Sequence, residues 1–216
     1  QARFTFSFAD YFDPDHMGFQ SLRVMNNDTI HPGGGFGTHP HDNMEIFTYV
    51  IAGQLEHKDS MGNGAVIEAG NLQYMSAASG VTHSEFNPSK ENATLLYQIW
   101  LTPNVRGGEP RYAEKALRDT VEPNTLELLF SEDGRDGSTA IRQRAELYFV
   151  RLQAGKTVTV PESLRTPHAW VQAVEGGVSL YNTPLATGDG LALTDAEQAF
   201  TIHADEDSTL FIFRLS

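Results

Sequence analysis

The sequence contains no cysteine among its 216 residues. Disulfides, thiolate metal sites and a cysteine nucleophile are therefore excluded, and a reducing compartment suits the chain. Any bound metal must be held by His, Asp or Glu. Cationic residues are few: 15 Lys and Arg stand against 28 Asp and Glu, a formal net charge of −13. A surface of that sign repels phosphate backbones and anionic lipid heads, which argues against direct nucleic-acid or membrane binding. Long apolar runs are missing too. TLFIF (Thr209–Phe213) is typical of the longest, far short of the roughly 20 residues a spanning helix needs. No signal peptide is visible, and a cytoplasmic location is expected. The chain opens on Gln1 rather than Met, so a trimmed start is expected.

Helix signals are scarce. RYAEKALRDTV (Arg111–Val121) carries the clearest one. Elsewhere, brief apolar or alternating runs are broken by Gly, Pro, Asn and Asp: MEIFTYVIAG, AVIEAGNLQYM, TLLYQIWL, ELYFVRLQAG, HAWVQAVEGGVSLY and STLFIFRL. These predict an all-β chain of barrels or sandwiches. A faint repeat runs through them. VIAG-QLEH, AGNLQYMSAASGVTHSE and NATLLYQIW in the first half answer to AVEG-GVSLY, TGDGLALTDAEQAFTIHA and DSTLFIFRL in the second. Two similar barrels joined through Pro103 to Pro123 would explain the repeat. The expected domains are 1–118 and 119–216.

THPHDNME (Thr38–Glu45) concentrates the chemistry. Alternate residues of a strand share a face, so His39, His41 and Glu45 have one parity. His83 and Glu85, in VTHSEFN, share a face in the same way. Two strands of one barrel would then aim three imidazoles and one or two carboxylates at one interior point. That donor set suits Fe(II), Mn, Ni, Cu(II) or Zn, and non-haem Fe(II) best. The GGGFG run before it lets the backbone enter the strand at an unusual angle. Without a following Lys-Ser/Thr it is a turn, not a phosphate loop. Pro40 points the other way, where it costs one ladder bond at an edge or bulge. Phe36, Phe47 and Phe86 flank these segments as core or pocket-wall candidates.

The spacing Gly33-x5-His39-x-His41-x3-Glu45-x7-Gly53 resembles the first motif of the cupins, and Gly70 with Gly80-x2-His83-x3-Asn87 resembles the second. Ser76 to Gly80 departs from the usual second motif. The blocks TFSFADYFDPDHMGFQSLRVMNND, GGGFGTHPHDNMEIFTYVIAGQLEHKDSMGN and AGNLQYMSAASGVTHSEFNP are similar to those of bacterial pirins, and LYQIWLTP, PRY and DGS continue the likeness. It covers nearly all of the first half and thins in the second.

That resemblance implies an all-β bicupin: two jelly-roll (double-stranded β-helix) barrels, few short helices, and one metal site in the N-terminal barrel. Its ligands would be His39, His41, His83 and Glu85. Spacing alone favours Glu45 as the carboxylate, whereas the pirin pattern favours Glu85, leaving Glu45 as a neighbour on the same face that would support and orient the ligands. His57, in QLEHKDS, is a candidate for a supporting or pocket role. His16 and His31 are expected to be exposed. His168 and His203 lie in the second barrel, one per strand, and that barrel is expected to hold no metal. The implied activity is quercetin 2,3-dioxygenation: flavonol and O2 as substrates, Fe(II) first among the metals, Glu85 as general base and carbon monoxide released. The alternative is a metal-dependent or redox-sensing regulator acting through a protein partner. A monomer is expected.

Overall fold

The structure, a computed structural model, describes residues 1–216. The chain divides into two compact units, Gln1–Thr120 and Val121–Ser216. The first contains β1 (Ala2–Phe4), β2 (Leu22–Ile30), β3 (Gly35–His41), β4 (Glu45–Ala52), β5 (Gln54–Asp59), β6 (Gly64–Glu68), β7 (Asn71–Ser76), β8 (Val81–Phe86), β9 (Thr94–Leu101) and β10 (Arg111–Ala116), then a four-residue helix α1 (Leu117–Thr120). The second contains β11 (Glu127–Ser131), β12 (Thr139–Ala140), β13 (Ala145–Leu152), β14 (Thr157–Val160), β15 (His168–Glu175), β16 (Val178–Leu180), β17 (Thr183–Leu185), β18 (Gly190–Leu193), β19 (Phe200–Ala204) and β20 (Ser208–Leu215). No helix is long and apolar enough to cross a membrane.

Each unit has one six-stranded and one four-stranded sheet. The order β2-β9-β4-β7 in the first recurs as β13-β20-β15-β18 in the second, and β3-β8-β5-β6 recurs as β14-β19-β16-β17. The repeat seen in the sequence is thus a repeated strand order. The fold is an all-β pair of jelly-roll units, as the cupin-like motifs implied.

Strand alternation stacks the interior of the first unit in layers. Ile30, Val50, Leu55, Ile67 and Leu96 fill one end. Ile46, Met75 and Val81 fill the other, with Trp100 packed against them. Two residues from Leu96 and from Val50, on the same faces of β9 and β4, stand Gln98 and Thr48, so a polar layer lies between the apolar ones. The functional side chains belong to that layer. The second unit's interior is apolar, with Val150, Val171, Ile202 and Leu210 among its fully buried residues.

Arg111–Val121 departs from the expected helix. Residues 111–116 form β10, which pairs with β7 from Arg111↔Ser76 to Ala116↔Asn71, and only α1 is helical. An isolated helix of this length is marginal in water. The open edge of β7 provides a ladder of backbone hydrogen bonds instead, and tertiary pairing overrides the local preference.

Candidate metal centre

β3 and β8 position three imidazoles. They pair antiparallel with Gly35↔Phe86 and Phe36↔Glu85, then shift register and continue as His39↔His83 and His41↔Val81. The shift inserts one extra residue into β3. In an unshifted ladder Thr38 would oppose His83, and both β3 histidines would face away from the barrel. The bulge at Gly37–Thr38 therefore turns His39 and His41 inward. Gly35 is needed just before it: a Cβ there would lie 2.2 Å from the Glu85 carbonyl oxygen.

The three rings converge, with centroids 4.5 Å apart for His39–His83, 4.8 Å for His39–His41 and 4.9 Å for His41–His83. The Nδ1–H of His39 donates to the Gly37 carbonyl at 2.8 Å, which leaves its Nε2 with a lone pair. His83 is oriented from behind. Asp59 Oδ2 accepts from His57 Nε2 at 3.2 Å, so His57 Nδ1 is the acceptor that Gln73 Nε2 (3.1 Å) and His83 Nδ1 (3.4 Å) approach. The Nε2 of His83 then also carries a lone pair, and it lies 3.0 Å from Nε2 of His39. Two imidazole lone pairs at that distance repel unless a cation lies between them. Cis ligands at about 2.1 Å from one ion are about 3.0 Å apart.

Electrostatics favour neutral, ligating imidazoles. Burial pushes His83 down to about 3, assisted by His39 and His41, and pushes His41 down to about 4, assisted by His39. Burial also lowers His57, against the pull of Asp59. Asp59 is itself raised by burial, but hydrogen bonds from Asn63, His57 and the Met61 backbone bring it below the usual carboxylate range.

Glu85 is 2% exposed. Its Oε1 accepts from Thr48 Oγ1 at 3.2 Å and its Oε2 from Gln98 Nε2 at 2.8 Å. Burial pushes its carboxyl up to about 7, while Thr48 and Gln98 pull it down. His39, His41 and His83 offer ligand atoms within 4.8 Å of one another, and Glu85 forms a second such group with His83 and His57. This arrangement suits a divalent metal ion.

Glu45 requires a correction. It does not face the histidines. Its oxygens accept from Tyr74 Oη and Ser76 Oγ, each at 2.5 Å, and it pairs across the sheet with Ser76 and Leu101. The next residue on the opposite face of β4 but one, Thr48, is the one that reaches Glu85. Parity fails because the chain is not one strand from His41 to Glu45: Asn43 adopts a left-handed backbone (φ 45°) between β3 and β4. Glu45 is thus not a support for the imidazoles, whereas His57 touches His83 directly.

An apolar cavity of about 580 Å³ opens onto the site. Phe4, Phe8, Phe36 and Trp100 line it with His39, His41, His83 and Glu85. Phe8 meets Trp100 edge-on at 5.5 Å, and Trp100 meets His41 edge-on at 4.9 Å. Of the flanking phenylalanines, only Phe36 lines this cavity; Phe47 packs at a tilt against Tyr74 on the Glu45 side of β4, and Phe86 is exposed. Phe4 and Phe8 were not foreseeable: β1 carries Phe4 to the cavity through its pairing with β2, and Phe8 packs against Phe4 and Trp100. Asp59 was: H-x-D on one strand places both side chains on one face. His16 and His31 are exposed. In the second unit, His168 Nδ1 accepts from the Asp195 backbone at 3.3 Å, and the exposed His203 lies 3.2 Å from Asp205.

The family model for Pirin matches residues 1–101, and that for the quercetinase C-terminal cupin domain matches residues 128–215. A quercetin 2,3-dioxygenase of Escherichia coli K12 is 47% identical over 211 residues, 98% of this chain and 89% of that one. The crystal structure of YhhW from Escherichia coli superposes with a TM-score of 0.93 at 45% identity, over 100% of this chain and 90% of that one. The bacterial pirin YhhW in complex with nickel(II) superposes at 0.92 and 44% identity, over 99% of this chain and 90% of that one.

Proposed function

Since the chain belongs to the pirin family, we propose that it is a metal-dependent dioxygenase that opens a flavonol such as quercetin with O2, releasing carbon monoxide, and that His39, His41, His83 and Glu85 hold the metal. One observation carries this reading: lone pairs of His39 and His83 meet at 3.0 Å beside a buried carboxyl, at the head of an apolar cavity of about 580 Å³. Cavities of a few hundred Å³ accommodate small aromatic ligands.

When bound, a divalent ion, Fe(II) foremost with Mn, Ni, Cu and Zn as candidates, supplies Lewis acidity to a substrate hydroxyl and a means of engaging O2. The protein's own groups do the rest. Glu85, a buried carboxylate beside the histidines, takes the proton from the flavonol 3-hydroxyl. Thr48 and Gln98 hold its oxygens in place during that transfer. Gly37 fixes the His39 ring, and the Asp59–His57 pair fixes His83. Phe4, Phe8, Phe36 and Trp100 keep water from the electron-rich enolate and stack the aromatic rings.

The test is anaerobic reconstitution of metal-stripped protein with Fe(II), Mn, Ni, Cu and Zn in turn, followed by loss of quercetin absorbance and uptake of O2. At least one ion should give turnover that metal-free protein lacks. His39→Ala and His83→Ala should lose both bound metal and turnover. No turnover with any ion would refute the enzymatic reading, and normal metal content in either variant would refute the ligand set.

A further inference from the structure

The cavity wall contains a polar feature that metal binding does not use. On β2, Asn26 pairs with Gln98 of β9 and Asp28 with Leu96, so both side chains share the interior face on which Gln98 reaches Glu85. Both line the cavity, and both are more than nine-tenths buried, at 2% and 6% exposed. The carboxyl of Asp28 receives no hydrogen bond from the protein, and the buried Asn26 Oδ1 has no partner either. Trp100 Nε1, in the same wall, is a buried donor without an acceptor. Buried polar atoms left unpaired are costly, and in a binding cavity a ligand is the natural partner. No lysine or arginine lines the cavity. The Gln1 ammonium lies near Asp28 and donates to the Thr29 carbonyl; an aromatic carboxylate placed at that end of the cavity would still meet the Asp28 carboxyl, whereas a hydroxyl can donate to it.

We propose that Asp28 is the specificity-determining residue of this site: it accepts a hydrogen bond from a phenolic hydroxyl remote from the histidines, and so selects neutral polyhydroxylated aromatics over aromatic carboxylates. This rests on the reading of the cavity as a flavonol site and adds the residue that chooses among aromatics. Asp28 lies two pairs further along the β2–β9 ladder than the Asn26–Gln98 pair, the next position on the same face. It is therefore placed to meet a different hydroxyl from the one deprotonated at Glu85. Burial pushes its carboxyl up to about 6, which leaves it mostly ionised, and a strong acceptor, at pH 8.

The experiment measures binding without turnover. Protein loaded with zinc is titrated anaerobically at pH 8 with quercetin, with 3-hydroxyflavone, which has the 3-hydroxyl and carbonyl alone, and with salicylate. Ligand absorbance and tryptophan fluorescence give Kd. The wild type should bind quercetin at least tenfold tighter than 3-hydroxyflavone, and salicylate worst. In Asp28→Asn that preference should fall by about tenfold or more, with the Kd of 3-hydroxyflavone nearly unchanged and salicylate binding improved. A merely structural defect would weaken both flavonols alike, so the ratio is the diagnostic quantity. Asp28→Ser is a second variant should the amide fail to fold. A quercetin preference kept within twofold in the folded variant, or no preference in the wild type, overturns the proposal. Failure of the dioxygenase reading would appear differently: selective binding that follows Asp28, with no O2 uptake on any reconstituted metal.

Discussion

Glutamine in place of Glu85 and glutamine in place of Glu45 should change the protein in opposite directions. In metal-free protein, burial raises Glu85 from its ordinary 4.5 to about 7. Folding therefore favours its protonated form. The stability this supports is fully present below about pH 4.5 and is lost as the pH rises through 7. The shift is about 2.5 pH units, and at about 1.4 kcal/mol per unit the loss is about 3 kcal/mol by pH 8. Glu85→Gln removes the ionisable group but keeps an amide oxygen to accept from Gln98 Nε2. Metal-stripped Glu85→Gln should therefore gain on metal-stripped wild type as the pH rises from 5 to 8, with the gap in Tm widening by roughly 10 °C. It should also lose bound metal. Glu45→Gln instead sets an amide nitrogen or a weaker acceptor against hydroxyls that donate at 2.5 Å. Losing such charge-assisted bonds costs about 2 kcal/mol, and metal content should stay normal. Thermal melts at the two pH values and elemental analysis read all four quantities. Metal kept by Glu85→Gln and lost by Glu45→Gln, or a Glu85→Gln melting gap that ignores pH, would refute the reasoning.

Three further outcomes follow from the same geometry. Gly35→Ala would place its Cβ 2.2 Å from the Glu85 carbonyl, so β3 and β8 must part; a loss of more than about 3 kcal/mol in denaturant melts, with loss of metal, is expected. Asp59→Asn weakens the acceptor that sets the His57 tautomer while leaving every proposed ligand in place, and metal affinity measured by chelator competition should fall roughly 10- to 100-fold. Deleting Thr38 removes the bulge and turns His39 and His41 outward. That variant should keep its β content by circular dichroism and bind no metal.

Much of this was readable from local pattern, because a strand repeats every two residues. His83 and Glu85 face one way within an uninterrupted β8, and H-x-H puts both β3 histidines on one side whichever side that is. The repeat of strand segments between the two units likewise follows runs and turns visible in the chain. Pattern failed wherever the backbone broke the period or a distant partner decided the outcome. Asn43 resets the alternation between His41 and Glu45, which local spacing cannot reveal. Arg111–Ala116 is a strand only because β7 offers it an edge. Phe4, Phe8 and Asp28 are remote in sequence from His39, His41 and His83 and share a cavity with them only in the folded chain.

The sequence by itself determined the kind of chemistry available. A cysteine-free chain with H-x-H and H-x-E segments can assemble only an imidazole and carboxylate centre, and alternating apolar runs make it all-β. Tertiary structure decided which groups take part. A one-residue bulge aims the histidines inward, the Thr48 and Gln98 donors receive Glu85 rather than Glu45, and the β2–β9 ladder sets Asp28 in the cavity wall. Side-chain spacing is a local property of the backbone; the face presented to a shared interior depends on register, and register is set by the neighbouring strand.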